Sequence, residues 1–293
     1  MRRILVAPLL AAALALSAFI APVGAVTGGQ PDGTAHPQVA LLLAPELTFC
    51  SGALISNMTI LTAGHCTAGW DALLADPDYD FWDGTILVSF DPQAEVDENW
   101  VPVDPTQWHE ASRWETHPDY VDADWPFTPD YGLLFLDEPV TGIPYATLAD
   151  PLELQPIIDS NGKSKQQFDT VGYGIQGKTI GNGPPARLIT WQRKIAVNRV
   201  SPGNGSVNGL FDPTWFILQN VPNQRQGGAC GGDSGSPVFW HGTTEIVAVH
   251  TGGYRMGYNG VLCGRMTSLN HRVDLPEIRQ WIIDNTEWAP VDA

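Results

Sequence analysis

Positively charged residues are scarce in this 293-residue chain. It contains 15 Lys and Arg against 32 Asp and Glu, which gives a formal net charge of −17 at pH 7. Because nucleic acids attract basic surfaces, this balance argues against them as partners and favours a soluble exported protein. Charged residues make up only 16% of the chain, whereas 43% is hydrophobic. That is enough to bury a core in one large domain or in two smaller lobes.

Long hydrophobic runs are absent after the first 25 residues. Those residues begin with Arg2 and Arg3, continue as an apolar run from Ile4 to Ile20 and end in the small residues of Val23 to Ala25. This order is typical of a signal peptide. A transmembrane anchor is the alternative, but proline and glycine interrupt the run near its end. We therefore predict a signal peptide over 1–25 and no later membrane-spanning segment.

Cysteine is also rare, and the four residues are Cys50, Cys66, Cys230 and Cys263. An even number in an exported chain favours two disulfides over metal ligation, and the spacing matches no zinc pattern. Spacing leaves three pairings open, of which nearest-neighbour pairing is the simplest. The acidic stretch 71–83 offers oxygen ligands for calcium but lacks EF-hand spacing. We interpret that stretch as surface loops and predict no metal or cofactor.

Short apolar runs separated by turn residues dominate the chain after residue 38. We predict strands at 39–44, 85–90, 132–136, 168–173, 188–197, 215–218, 237–240 and 245–250. Only the end is predicted to be helical, with Asp274 as the cap, Pro276 in the first turn and Glu277 three residues after the cap. Many short strands and one terminal helix indicate an all-β barrel or sandwich.

The stretch CGGDSGSP, residues 230–237, has the composition of a nucleophile turn. Ser234 follows Asp233 and is flanked by glycines, which let main-chain N–H groups approach a reacting carbonyl closely. If Ser234 attacks, the N–H groups of Gly232 and Ser234 can bind the oxyanion that forms. One such donor is worth roughly 3 kcal/mol of barrier. A serine hydroxyl also needs a base, and the base needs an orienting group.

Candidates for both partners lie earlier in the chain. His65 lies in TAGHC, beside a cysteine expected in a disulfide, and Asp130 opens the run DYGLLFL. An acid placed directly before a buried strand can orient an imidazole and stabilise its charged form. Nearby acids do not lead into an apolar strand; they are Asp119, Asp122 and Asp124. The remaining histidines, apart from His250, are interpreted as structural, namely His36, His109, His117, His241 and His271.

The motifs TAGHC, DYGLLFL and CGGDSGSP, in the order His, Asp, Ser, resemble those of the chymotrypsin/trypsin-like serine proteases. Subtilisin-like enzymes use the order Asp, His, Ser, and α/β-hydrolases use Ser, acid, His. The hydrolase elbow G-x-S-x-G is also broken here, because Ser236 occupies its last position. VTGG at 26–29 is similar to the mature N-terminus of the protease family, and GYG at 172–174 is similar to a turn in its second barrel. The resemblance extends from Val26 to the C-terminal helix. The prokaryote-like VHTGG at 249–253 and the expected absence of a propeptide favour a bacterial source.

This resemblance implies two six-stranded antiparallel β-barrels with a C-terminal helix, the lobes spanning roughly 26–150 and 151–293. It implies Ser234 as nucleophile, His65 as general base and Asp130 as the orienting acid. The two disulfides of the family would be 50–66 and 230–263, in agreement with the simplest pairing. We expect a monomer that hydrolyses polypeptide substrates and meets protein protease inhibitors.

Asp233 has a separate role in the family, where it pairs with the amine of the mature N-terminus. Signal cleavage after Ala25 would expose Val26 directly. The hypothesis is therefore an enzyme that matures on export without a zymogen stage.

The resemblance also implies which residues line the pocket for the residue before the scissile bond: Gly228, Ala229, His250, Thr251, Gly252 and Gly253. Trypsin-like members carry an Asp where this chain has Gly228, so cleavage after Arg or Lys is not expected. The small uncharged residues favour apolar or aromatic side chains.

VHTGG, residues 249–253, also resembles bacterial glutamyl endopeptidases, in which a histidine at this point binds a substrate glutamate. Thr251 would then supply a hydroxyl to the catalytic Asp. The pocket hydroxyls expected in such enzymes are absent at Ala229, Gly231 and Gly253. A structural His250 is the alternative to a His250 that binds substrate. Two further hypotheses concern the whole chain, namely an inactive binding homologue and an esterase of another fold.

Overall fold

The computed structural model describes residues 29–178, 186–201, 206–207, 210–219, 227–254 and 267–290. Two barrel-like sheets make up most of it, and a C-terminal helix follows them. Both sheets are antiparallel except for one two-residue parallel pairing, of Thr147 and Leu148 with Glu245 and Ile246. The predicted all-β fold, with two barrel-like sheets and a C-terminal helix, is therefore confirmed. The proposed lobe boundary near residue 150 stays a prediction.

The first sheet is built from seven short strands: β2 (Val39–Ala44), β3 (Thr48–Leu54), β4 (Thr59–Thr62), β5 (Ile86–Ser89), β6 (His109–Ala111), β7 (Arg113–Thr116) and β8 (Gly132–Phe135). Their order is β6-β5-β2-β3-β4-β8-β7. Only Ser112 separates β6 from β7, so one bent segment pairs with β5 at one end and β8 at the other. Every residue of β2 and β8 is buried, as continuous apolar runs predict.

The second sheet has eight strands: β1 (Gln30–Pro31), β9 (Thr147–Leu148), β10 (Gln167–Gly172), β13 (Lys194–Val200), β16 (Trp215–Gln219), β17 (Pro237–Trp240), β18 (Glu245–Tyr254) and β19 (Thr267–Arg272). Six of them close into a barrel, because β13 pairs with both β10 and β16. The two-residue strands β1 and β9 join its outside. Two hairpins stand apart: β11 (Gln176–Lys178) with β12 (Ala186–Leu188), and β14 (Ser206–Val207) with β15 (Leu210–Phe211).

The single strand predicted over 188–197 is wrong, because β13 begins only at Lys194. Trp191 has a positive φ of 51°, which breaks the extended chain. Arg193 is buried, and its Nε donates to the Asp32 carboxylate at 3.0 Å. These residues connect the two barrels instead of extending a strand.

Three α-helices are described: α1 (Gly64–Ala75), α2 (Gln155–Asp159) and α3 (Pro276–Asp284). α3 is the predicted terminal helix, and Ile278 and Ile282 form its buried face. The predicted cap is wrong, because Leu275 occupies that position and the Asp274 carboxylate binds Arg272 and the Leu154 N–H instead. Within the described ranges, no helix is long and apolar enough to cross a membrane.

The prediction that only the C-terminus is helical is wrong, because it missed the five-residue α2 and the longer α1. The sequence of α1 carries no side-chain N-cap and no separate apolar face that would signal a helix. Instead, tertiary contacts hold it: the Cys50–Cys66 disulfide joins it to β3, and Trp70 is completely buried.

Candidate active site

His65 and Asp130 meet at the start of α1. Asp130 Oδ2 accepts a hydrogen bond from His65 Nδ1 (2.8 Å), and Oδ1 accepts one from the His65 main-chain N–H (2.7 Å). The Asp130 side chain is fully buried, whereas 27% of the His65 side chain is exposed. Two bonds to one carboxylate fix the ring and place its proton on Nδ1, so Nε2 is the nitrogen available as a base.

Burial and charge act in opposite directions on this pair. Burial lowers the pKa of His65, but the charge and hydrogen bond of Asp130 outweigh it, with a further contribution from Asp122, and the pKa is raised. Burial raises the pKa of Asp130, but His65 outweighs it and holds the pKa below its usual value. Asp130 therefore stays ionised at neutral pH, and His65 is a stronger base than a free imidazole.

Ser234 lies near this pair because its turn packs against the first barrel. Gly235 has a φ of +82°, and a Cβ there would lie 2.1 Å from Thr62 Oγ1 and 2.9 Å from the nitrogen of Ala63. Ala63 directly precedes α1 and is two residues from His65. The close approach of glycine thus brings the Ser234 turn to the start of the helix that carries His65. The Ser234 hydroxyl itself hydrogen-bonds to no described residue.

The peptide between Gly231 and Gly232 has a fixed direction. Gly231 O accepts from the Ile175 N–H at 2.7 Å. Since C=O and N–H point in opposite directions in a trans peptide, the Gly232 N–H points away from Ile175. Gly232 has a φ of +89°, and a Cβ would overlap the ring of Phe49 at 2.0 Å. Only glycine fits this position.

The Ser234 N–H is directed by the same kind of contact. Asp233 O accepts from the Ser236 N–H at 2.9 Å, so the Ser234 N–H in that peptide points away from Ser236. In the part of the chain that the structure describes, neither this N–H nor that of Gly232 has an acceptor. The turn therefore presents the two predicted donors for an oxyanion.

The side chain of Asp233 is buried beneath the turn. Its oxygens accept from the main-chain N–H groups of Gly174 and Cys230, both at 2.8 Å. Burial nevertheless raises the pKa of Asp233 to about 7. The predicted ion-pair partner, Val26, lies outside the described residues. Cys230 is disulfide-bonded, and its predicted partner, Cys263, also lies outside them.

His250 is buried in the second barrel and makes polar contacts there. Its Nδ1 lies 3.1 Å from Asn270 Oδ1 and 3.0 Å from Ser268 Oγ. The Asn270 amide nitrogen donates to Phe216 O at 2.8 Å, which makes Oδ1 the acceptor that faces His250 and places the imidazole proton on Nδ1. Burial lowers the pKa of His250 to about 4. The ring is therefore neutral at pH 7, and Nε2 is an acceptor.

Thr251 does not have the partner predicted for it. The Asp130 carboxylate bonds to His65, and the Asp130 N–H donates to His271 Nδ1 at 3.3 Å. The Thr251 hydroxyl instead accepts from Trp125 Nε1 at 3.4 Å. The expectation of a Thr251 hydroxyl on the catalytic acid is therefore wrong.

Trp125 covers the neighbouring pocket residue. A Cβ on Gly252 would lie 2.8 Å from Trp125 Cζ2, so the indole rests directly on the glycine backbone, and 37% of Trp125 is exposed. Gly228 and Ala229 are buried, and Gly253 is half-buried. Two of the predicted pocket residues, Thr251 and Gly252, thus contact a tryptophan that was not predicted.

Sequence reasoning missed three residues near the site: Trp125, His271 and Ser51, the last of which donates its hydroxyl proton to Gly232 O. The sequence signal that could have found Trp125 is its position, five residues before the predicted acid Asp130. Nothing in the local sequence distinguishes the other two, because their partners at the site lie far away in the chain.

Two comparisons with known proteins bear on this site. The family model for trypsin matches residues 26–272. A solved structure of HL collagenase superposes with a TM-score of 0.60 at 18% sequence identity, over 88% of this chain and 96% of that chain. At that identity the likeness concerns the fold.

Proposed function

Since the chain belongs to the trypsin family and is a serine endopeptidase, we propose that Ser234 is its nucleophile, His65 its general base and Asp130 the acid that orients the base. The observation that carries this assignment is the doubly hydrogen-bonded His65–Asp130 pair beside a turn with two free N–H donors. Polypeptides are the substrates of such an enzyme.

In this mechanism the Ser234 hydroxyl attacks the substrate carbonyl carbon while His65 Nε2 takes its proton. Asp130 stabilises the imidazolium. The tetrahedral intermediate collapses when His65 passes that proton to the leaving amine, which releases the first product and leaves an acyl-enzyme. Water then repeats the sequence with His65 as base, and this releases the acid product and restores Ser234.

The N–H groups of Gly232 and Ser234 would stabilise the oxyanion in both steps. Removal of one such donor typically lowers kcat by about 10²–10³-fold. Their directions are held before substrate arrives, so little reorganisation is required when the charge develops.

We propose a preference for apolar or aromatic residues before the scissile bond. Gly228 brings no charge to the pocket, and His250 is neutral with its proton directed to Asn270. The partly exposed Trp125 lies against Thr251 and Gly252 and adds apolar surface beside them. Binding a glutamate would require His250 to be protonated against its burial, or to reverse its tautomer.

Export belongs to the same proposal. Residues 1–25 would act as a signal peptide, and the enzyme would act outside the cell as a monomer. The buried Asp233, with its raised pKa, would gain a counter-charge from the amine of Val26. N-terminal sequencing of the exported protein checks this, and a first residue far from Val26 would contradict it.

The experiment for the catalytic assignment is labelling with a fluorophosphonate followed by peptide mapping, with Ser234→Ala as the matched control. We expect label on Ser234 alone and none on the variant. The same two proteins are then given a peptide library varied at the residue before the scissile bond. Cleavage after Phe, Tyr or Leu supports the apolar preference, and cleavage after Glu overturns it.

An inactive binding homologue would give neither label nor cleavage. An active protein that labels at another serine would contradict the assignment of Ser234. Residual cleavage by Ser234→Ala would indicate contamination, because loss of a triad member typically costs about 10⁶-fold in turnover.

A further inference from the structure

Ser51 connects the first barrel to the nucleophile turn through two hydrogen bonds. It lies within β3 and is completely buried. Its main-chain N–H donates to Ser234 O (2.8 Å), and its hydroxyl donates to Gly232 O (2.9 Å). One residue of the first barrel thus holds the carbonyls on both sides of Asp233.

The direction of the Ser51 hydroxyl proton follows from its other partner. The Tyr173 N–H lies 3.1 Å from Ser51 Oγ and can only donate. A serine hydroxyl has one hydrogen and accepts through its lone pairs, so that hydrogen is directed to Gly232 O. Tyr173 precedes Gly174, whose N–H binds the Asp233 carboxylate. The hydroxyl therefore joins β3, the GYG turn and the nucleophile turn.

Gly232 is the residue whose conformation most needs such a restraint. Glycine adopts positive and negative φ about equally well, so the value of +89° at Gly232 is not set by the residue itself. The peptide before it is held by the Ile175 N–H, and the peptide after it is held by Ser51. Of the described hydrogen bonds to the carbonyls of 231–234, the one from the Ser51 hydroxyl is the only one that a side chain donates.

We propose that Ser51 is a positioning residue for catalysis, whose hydroxyl holds the carbonyl of the peptide that follows Gly232 and thereby maintains the positive-φ turn that presents the Gly232 N–H to the oxyanion. The inference rests on the proposed role of Ser234. Ser51 is placed to act through the turn and not through contact with reacting atoms. Its removal should therefore weaken binding of the transition state more than binding of the substrate.

The test is Ser51→Ala in the mature enzyme. We expect kcat to fall about 10- to 100-fold with KM little changed, since a misdirected oxyanion donor loses part of the 10²–10³-fold that a donor contributes. Affinity for a peptide aldehyde, whose adduct with Ser234 carries an oxyanion, should fall by a similar factor. Ser51→Gly, which also lacks the hydroxyl, should reproduce both losses.

Two variants separate positioning from general stability. Ser51→Thr keeps a hydroxyl and should recover most of kcat. Ser56→Ala removes another buried hydroxyl of the same barrel, one that donates to the main-chain carbonyl of Glu287. It should lower the melting temperature without changing kcat or aldehyde affinity in the folded fraction.

An unchanged kcat in Ser51→Ala and Ser51→Gly would overturn the proposal. So would a loss confined to KM, or an equal loss of kcat in Ser56→Ala. Failure of the proposed function gives a different result, because the wild-type protein itself would then show no fluorophosphonate label on Ser234.

Discussion

In the described parts of the chain, three histidine–aspartate pairs use the same hydrogen-bonding scheme in different places. In each, one carboxylate accepts from histidine Nδ1 and from a main-chain N–H. The Nδ1 distances are 2.8 Å for His65–Asp130, 2.6 Å for His36–Asp32 and 2.7 Å for His241–Asp169. The main-chain donors are the N–H groups of His65, His36 and Gly242.

The surroundings of the three imidazoles differ. The side chain of His36 is 7% exposed, stacks on Phe239 and shares its carboxylate with Arg193. That of His241 is 47% exposed on a turn after β17. His65, at 27% exposure, lies between these extremes and beside the Ser234 turn.

A histidine–aspartate pair is therefore not by itself a catalytic site. A general base needs a fixed ring, but it also needs partial access and a nucleophile within reach. His36 is inaccessible, and no nucleophile turn contacts His241 in the described parts of the chain. The comparison predicts that one pair controls the chemistry and that the other two affect only stability.

The largest contrast should come from His65→Ala and its matched control His241→Ala. We expect kcat/KM to fall by about 10⁶-fold in the first, as in other triad enzymes, and to stay unchanged in the second. Hydrolysis of an apolar peptide substrate measures both. Comparable losses in the two variants would remove the distinction between the pairs.

Replacement of the carboxylates Asp130 and Asp169 should produce a difference in activity nearly as large. Asp130→Asn is expected to lower kcat by about 10⁴-fold, because the amide favours the wrong imidazole tautomer. It also removes the charge that raises the pKa of His65. Activity requires neutral His65, so the acid limb of the pH profile should move to lower pH.

Asp169→Asn serves as the control for that profile and should leave both kcat and the acid limb in place. A profile of Asp130→Asn that matches the wild-type acid limb would show that another group titrates there.

The third contrast compares the free energy of unfolding of two aspartate variants, and it should be the smallest of the three. Asp32→Asn leaves the buried Arg193 guanidinium without its counter-charge, which typically costs about 3–5 kcal/mol. Asp169→Asn should cost less, because His241 can turn to water. Urea unfolding measures both, and kcat per folded molecule should be unchanged. Equal destabilisation would contradict the interpretation of Asp32 as a buried ion-pair site.

Local sequence predicted the strand pattern well where one strand is one apolar run. The run VALLLA is β2, and GLLF is β8. It failed at 188–197, where Arg193 lies outside the strand and binds Asp32. It also failed at α1, which is held by a disulfide and a buried tryptophan. Both failures have the same origin, since the partners that decide these conformations are distant in the chain.

The candidate site shows the same division. The resemblance carried by TAGHC, DYGLLFL and CGGDSGSP predicts His65, Asp130 and Ser234 as one constellation, and two hydrogen bonds join His65 to Asp130 in the structure. The resemblance was not sufficient to assign the contacts of Thr251, which binds Trp125 and not the acid. A hydroxyl has many acceptable partners, and only packing selects one.

By itself, the sequence determined the all-β class, the family motifs and the residue types available for acyl transfer, because these depend on local pattern. The tertiary structure alone decided the two other histidine–aspartate pairs, the tautomer of His250 and the contacts of Ser51. Those properties depend on hydrogen bonds and burial between segments that are far apart in the chain. Ser51 and Gly232, for example, are 181 residues apart.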